Sequence, residues 1–149
     1  MKIKIIPNEQ TPKIQESVNI EEDKELLSAF TRFVNAQTMC IGLASNQCSV
    51  DGKRIEKRFF SMMTKDAKSS ELIINPYLIS CNGKQVNREE GCLTWRGKTL
   101  LAKRYLDIKV KYYGIDGKPK LENMTGIRAI IFQHEFDHLQ GKEEILIDR

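Results

Sequence analysis

"TGIRAIIFQHEFDHLQG", residues 125–141, decides how this chain is read. It predicts a helix from about Thr125 to Leu139 that stops near Gly141. Ile127, Ile130 and Ile131 make its apolar face, and that face continues to His134 and His138, the two histidines of the chain. Four residues is just over one helical turn, so the two imidazoles lie one above the other, on the side that points into the protein. Glu135 sits about 100° round from His134 and about 60° from His138, at the edge of that face. Two histidines placed at random here fall four apart about once in a hundred trials, and with a glutamate after the first about once in a thousand. A lone histidine on an apolar face reads as a hydrogen-bonded core residue. This pair, flanked by isoleucines, reads as a buried divalent-metal site with a carboxylate base beside it.

The rest of the chain bounds what such a site can belong to. With 149 residues, 40% hydrophobic and 30% charged, it is long enough for one globular domain with its own core, taken here as residues 1–149. The net charge of +4 comes from lysines and arginines interleaved with acids, a solvated surface, and direct nucleic-acid binding is not expected. No apolar run approaches the length of a membrane span, so no membrane partner is expected either. The start, "MKIKIIPNEQ", has no apolar core or cleavage site of a secretory signal. Cys40, Cys48, Cys81 and Cys92 form no CxxC pair, which suits reduced thiols in a cytoplasm and leaves any functional cysteine as ligand or nucleophile.

Outward from the helix the pattern is mixed. "IKII" predicts a short strand closed by Pro7. Asn19 to Gln37 is helical, with Leu26, Leu27, Phe30, Phe33 and Val34 in one stripe and Asn19 with Glu22 resembling a capping box. "CIGLASNQ" reads as irregular, followed by short strands at "RFFSMM", "ELIIN" and "YLISC". Asn82-Gly83 predicts a hairpin between "YLISC" and "KQVN". "LDIKVKYYG" alternates Leu106, Ile108, Val110 and Tyr112, a half-buried strand, and Asp116-Gly117 turns it back. The expected fold class is α+β: short, mostly antiparallel strands packed around a central helix that carries the HExxH-type metal motif.

Two histidines leave a tetrahedral metal one protein ligand short, with one position open for water. The residues alone leave the third ligand open between a carboxylate and a cysteine. Cys92 stands out for its setting, "EEGCLTWRG", where Gly91 lets the backbone bend closely round an ion.

Three segments together resemble the peptide deformylase family. Cys40 to Gln47, "CIGLASNQ", is similar to its first motif, G-φ-G-φ-A-x-x-Q with φ apolar. Glu90 to Thr94, "EGCLT", is similar to E-G-C-L-S, and Gln133 to Leu139 matches Q-H-E-x-D-H-L. Ile74 to Pro76, "INP", and Arg104 also fall where the family has them. The resemblance implies hydrolytic removal of the N-formyl group from the initiator methionine of nascent polypeptides. It implies Cys92, His134 and His138 as ligands of one divalent ion, with Fe²⁺ the family's preferred metal and Zn²⁺ or Ni²⁺ replacing it in purified protein. It implies Glu135 as the acid–base group, and Gln47 with the backbone N–H of Leu93 as donors to the oxyanion. It places Gly42 where an extended peptide pairs with the backbone, and Ile41, Ile130 and Ile131, with His134, round the methionine side chain.

The sequence departs from the family pattern at Cys40 for glycine, Ser45 for alanine, Thr94 for serine, and Trp95-Arg96 where an apolar residue and proline are common. Such departures bear on substrate preference more than on the chemistry. Asp137 reads as structural, with a pairing to Arg104 as its alternative role. Many family members continue into a C-terminal helix that in some docks on the ribosome, and docking by that means is not expected here. The partners expected are N-formylmethionyl peptides, in a bacterial cytoplasm or that of a bacterial host if the chain is phage-encoded. Two rival readings stand beside this one. A zincin-type metallopeptidase shares the helix but takes its third ligand downstream, and a catalytically silent relative would bind N-terminal peptides without turnover.

Overall fold

The computed structural model describes residues 1–37, 40–95, 97–142 and, as backbone, 145–148. The elements in chain order are β1 (Ile3–Ile5), α1 (Lys24–Ala36), β2 (Gly42–Ala44), a single 3₁₀ turn (Ser45–Gln47), β3 (Cys48–Val50), β4 (Lys53–Arg54), β5 (Phe59–Met63), β6 (Ser70–Glu90), β7 (Lys98–Tyr113), β8 (Pro119–Thr125), α2 (Gly126–Leu139) and β9 (Ile145–Asp148). A small sheet has the order β1-β3-β4, and the main sheet the order β2-β5-β6-β7-β8, with β9 paired to β7. Every pairing within these sheets is antiparallel.

The main sheet is buried on both faces, and this explains its runs of adjacent apolar residues. Phe59, Leu72 and Ile74 enter one cluster with Leu26, Leu27, Phe30 and Val34 of α1. Their strand neighbours Phe60 and Ile73 enter a second cluster with Ala129, Ile131, Phe132 and Leu139 of α2. Because successive side chains on a strand face opposite ways, a run such as "LII" serves two cores at once. Where only one face is needed the alternation is visible: Ile108, Val110 and Tyr112 are buried, between half-buried or exposed Asp107, Lys109 and Lys111. In α2 buried residues lie on most sides, as suits a helix packed under the sheet.

The hairpin expected at Asn82-Gly83 is absent. "ELIIN", "YLISC" and "KQVN" all belong to the single strand β6, which pairs with β5 from Ser70 to Ile74 and with β7 from Ile74 to Glu90. Asn82-Gly83 marks a β-bulge instead, with Gly83 at φ +73° and the register shifting between Asn82 and Gln85. Left-handed backbone serves a bulge as well as a turn, and the long strand β7 offers hydrogen bonds on either side of it. "INP" is a second irregularity: Asn75 has φ +50°, and its side chain accepts from Val18 N–H at 2.8 Å and donates to Val18 C=O at 3.0 Å. Two further expectations shift slightly. "CIGLASNQ" contains the strand β2, and of the expected capping box the Asn19 side chain accepts from Glu22 N–H at 3.2 Å, while the reciprocal bond from Asn19 N–H goes to the Asp23 carboxylate at 2.9 Å instead of Glu22. The Asp116-Gly117 turn is present, with Gly117 at φ +78° between β7 and β8.

Phe132 fixes α2 on the sheet. Its ring meets Phe60 edge to face, centroids 5.2 Å apart, and stacks on Phe136 at 5.8 Å. Phe132→Ala should cost about 3–5 kcal/mol, read as a lowered urea midpoint with an unchanged slope. A loss under about 1 kcal/mol would mean that α2 is held by something other than this cluster.

Candidate functional site: a cysteine–histidine metal centre

α2 starts directly after β8 at Gly126, whose φ of +61° makes the sharp reversal into the helix. Its turn-spaced histidines face the end of β6, with ring centroids 5.1 Å apart. Two residues past β6, Cys92 brings its Sγ to 3.4 Å from His138 Nε2. One ligand atom from each of Cys92, His134 and His138 lies within 4.8 Å of the others, a group able to hold a metal ion. The donor set, one sulfur and two imidazole nitrogens, suits a borderline divalent ion.

The groups behind the ligands orient them. His134 Nδ1–H donates to Glu90 Oε1 at 2.7 Å, which leaves its Nε2 lone pair for the ion. Glu90 is gripped in turn by Arg104, whose Nε lies 3.3 and 3.2 Å from the two carboxylate oxygens and whose Nη2 lies 2.9 Å from Oε1. Arg104 also pairs with Asp137, as its alternative reading held. Burial would raise the Glu90 carboxyl, but the hydrogen bonds from His134 and Arg104 outweigh it and hold the carboxyl at about 2. His138 Nδ1 is 3.3 Å from the Thr11 hydroxyl, and its backbone carbonyl accepts from Asn46 Nδ2 at 2.6 Å. Burial also opposes a charge on Cys92, yet the two histidines bring its thiol down to about 5, so sulfur is a thiolate at neutral pH.

The remaining expected residues converge on the same place. Gln47 Nε2 donates to Cys92 Sγ at 3.2 Å and to Thr94 Oγ1 at 2.8 Å, and its Oε1 accepts from Ala44 N–H at 2.8 Å. Thr94 therefore does what serine would do, with a hydroxyl as acceptor. Leu93 follows Cys92 in the turn and borders the cleft, and its N–H meets no acceptor among the described residues. Glu135 is 4% exposed, with Oε1 buried and unpartnered, and burial raises its pKa. A Cβ built on Gly42 would lie 2.5 Å from Glu135 Oε2, so the Glu135 carboxylate and the strand edge meet where a side chain would force the carboxylate to shift.

A cleft of about 430 Å³ opens over these groups, bordered by Ile41, Gly42, Ile130 and Ile131 as expected, and also by Ile127 and Arg88. Ile130 and Ile131 are 7% and 5% exposed, and Ile131 also packs in the core under the sheet. Ile127, expected on the inward face of the helix, is 54% exposed like Ile41 and forms part of the cleft's rim instead. β2 is the last strand of the main sheet, and Ile41 C=O accepts from Met63 N–H at 2.9 Å. Antiparallel alternation then turns the Gly42 N–H and C=O toward the open side. Cys40 borders the cleft too, with Sγ 3.6 Å from Gly42 O, and burial pushes its thiol up to about 11. Ser45 is buried and donates to Lys57 C=O at 2.6 Å. Trp95 is half-buried, and Arg96 lies outside the described residues.

Sequence reasoning gave no role to Glu90, Thr11 or Asn46. No short motif marks them as partners of the histidines; a buried carboxylate next to the Gly-Cys pair was the available signal. Glu90→Gln removes a charge while keeping shape, so it should weaken metal binding by about ten- to a hundredfold with the fold intact. Competition with a chromophoric chelator measures this, and an unchanged affinity would deny Glu90 its orienting part.

With this geometry in place, the likenesses to known proteins can be weighed. A family model described as polypeptide deformylase matches residues 1–149. The peptide deformylase of Aquifex aeolicus is 33% identical over 149 residues, spanning 93% of this chain and 82% of that protein. The crystal structure of the Thermotoga maritima peptide deformylase superposes with a TM-score of 0.80 at 27% identity, covering 96% of this chain and 95% of that one. The deformylase of the Vibrio parahaemolyticus bacteriophage VP16T, solved in complex with actinonin, superposes with a TM-score of 0.77 at 30% identity, covering 94% and 98% of the two chains. The α+β fold of mostly antiparallel strands, the sulfur–imidazole metal group and the sequence over its whole length agree: the chain belongs to the polypeptide deformylase family, the hydrolases that remove the formyl group from nascent polypeptides.

Proposed function

We propose that residues 1–149 act as one catalytic domain that hydrolyses the formamide bond of N-formylmethionyl peptides, with Cys92, His134 and His138 as ligands of a single divalent ion. The observation that carries this is the convergence of those three donors beneath a buried, unpartnered carboxylate, Glu135, in the floor of an apolar cleft. When bound, the ion supplies Lewis acidity, lowering the pKa of water and polarising the formyl carbonyl. Fe²⁺ is the ion we assign in the cell, with Zn²⁺ or Ni²⁺ as replacements. The thiolate and two imidazoles accept all three.

The chain's own residues do the rest. Glu135, with its pKa raised by burial, takes the proton from the attacking water and returns it to the leaving amine. Gln47 and the Leu93 N–H donate to the oxygen that gains charge. In the structure the Gln47 amide rests on Cys92 Sγ and Thr94, and the bond to sulfur is the one a charged oxygen displaces. The open edge of β2 at Gly42 aligns the peptide as an added strand. Ile41, Ile130 and Ile131 take the methionine side chain, whose burial is worth roughly 1.5–3 kcal/mol. Actinonin bound to the phage VP16T relative is consistent with a peptide-like ligand in the equivalent cleft. No helix of the described residues is long and apolar enough to cross a membrane, and we place the activity in a bacterial or host cytoplasm, where nascent formylated chains are found. A zincin reading finds no support, because the third donor beside the histidines is Cys92, upstream of them.

The decisive measurement is metal content together with deformylation kinetics on formyl-Met peptides at matched metal load. Glu135→Gln should keep the ion and lower kcat by about a hundred- to ten-thousandfold, whereas Cys92→Ser should lose the ion itself. Near-parental turnover by Glu135→Gln would remove the acid–base assignment, and a metal-loaded parent without turnover would remove the function.

Gly42→Ala tests the meeting of base and strand edge. Its methyl group must displace the Glu135 carboxylate, so kcat/KM should fall at least about a hundredfold while metal content stays at the parental level. A fall of less than about threefold would show that Glu135 can move aside without cost.

A further inference from the structure

Arg88 is unused by the chemistry above, yet it stands in the cleft wall beside Ile127, Ile130 and Ile131. It is the one lysine or arginine among the described residues that border the cleft. Strand alternation puts it on the same face of β6 as Glu90, and its Nε forms an ion pair with Glu90 Oε2 at 3.8 Å, too long for a hydrogen bond. Glu90 already serves His134 and Arg104. The Arg88 Nε is buried with no hydrogen-bond partner, while the side chain as a whole is 39% exposed. A guanidinium with a buried idle donor, reaching along an apolar wall to the rim, is costly for the free protein and fits an acceptor that arrives with a ligand. Glu89 also borders the cleft, but alternation directs its side chain to the other face of β6.

The position of that acceptor follows from how a strand lies in the cleft. Resting on the functional reading above, the peptide runs extended along the β2 edge with its methionine side chain against the isoleucines. The second side chain then faces away from this wall, and the third returns to it about 7 Å farther on, toward the rim. We propose that Arg88 is a specificity-determining residue that selects formylmethionyl peptides carrying a carboxylate side chain at the third residue. The bond is a bidentate guanidinium–carboxylate pair, which leaves the catalytic groups as they are.

The test compares formyl-Met-Ala-Asp-amide, formyl-Met-Asp-Ala-amide, formyl-Met-Ala-Lys-amide and formyl-Met-Ala-Ala-amide, the amide removing the terminal carboxylate. For the parent enzyme, kcat/KM should be about tenfold higher on the third-position Asp peptide than on the Lys peptide, mostly through KM, and the gap should narrow in high salt. In Arg88→Gln the ratio should fall to about one, Arg88→Glu should invert it, and Arg88→Lys should keep part of it. Ratios within one enzyme are insensitive to the fraction of a variant that folds. A ratio unaltered by Arg88→Gln, or an equal advantage for Asp at the second position, overturns the proposal. Turnover of formyl-Met-Ala-Ala-amide separates the two levels: with it and a flat ratio only the Arg88 inference fails, and without it the functional reading fails.

Discussion

The Glu90 carboxylate ties the site to the fold. It lies at the end of β6, accepts from His134 on α2, and is gripped by Arg104 on β7, which also pairs with Asp137 on α2. Three elements distant in sequence are thus fixed by one buried ionic group. Such a group is expensive to bury, and its stability rests on having every partner present. The same cost makes it a good positioning device. Hydrogen bonds from His134 and Arg104 keep the Glu90 carboxyl well below the usual carboxylate range, which holds a proton on His134 Nδ1, the ring nitrogen facing Glu90. The positions of the ligand side chains are thus tied to a buried ion pair.

The two-sided burial of the main sheet sets the rest. α1 covers one face and α2 the other, so the helix with the histidines is a buried layer rather than a surface element. Long β6 and β7 let the sheet extend beyond α2, and the bulges at Asn75 and Asn82-Gly83 let so long a pair keep its pleat and bend. At the outer end of β6, Arg88 and Glu90 border the cleft from within the strand, and Cys92 follows just past it. Long strands therefore carry one wall of the site, and the short strand β2 carries the other.

At β2 the open edge of the sheet and the proposed base meet at a single residue. Gly42 offers its backbone to the open side and leaves room for Glu135 behind it. Preorganisation of this kind is cheap in contacts and strict in sequence, since any side chain there would push the carboxylate away. Cys40 and Arg88 both border the same cleft, outside the group of proposed catalytic residues.

Much was legible in the sequence because the period of a helix is fixed. The spacing of His134, Glu135 and His138 put three groups on or beside one face before any fold was known, and the buried alternation of Ile108, Val110 and Tyr112 was equally local. Cys92 stood out by its setting beside Gly91, but only the family resemblance made it the third ligand, since no periodicity links residue 92 to residue 134. The Asn82-Gly83 hairpin failed because a turn and a bulge use the same left-handed backbone, and the choice between them rests on whether a partner strand is long enough to continue the ladder. Glu90, Thr11 and Asn46 stayed hidden for a related reason: a hydrogen bond between residues 44 or 127 apart leaves no mark on local composition. The sequence by itself determined which side chains could ligate and which faces were apolar. Only the tertiary structure decided which of them meet, because close approach across a sheet is set by strand register and burial, which are properties of the whole chain.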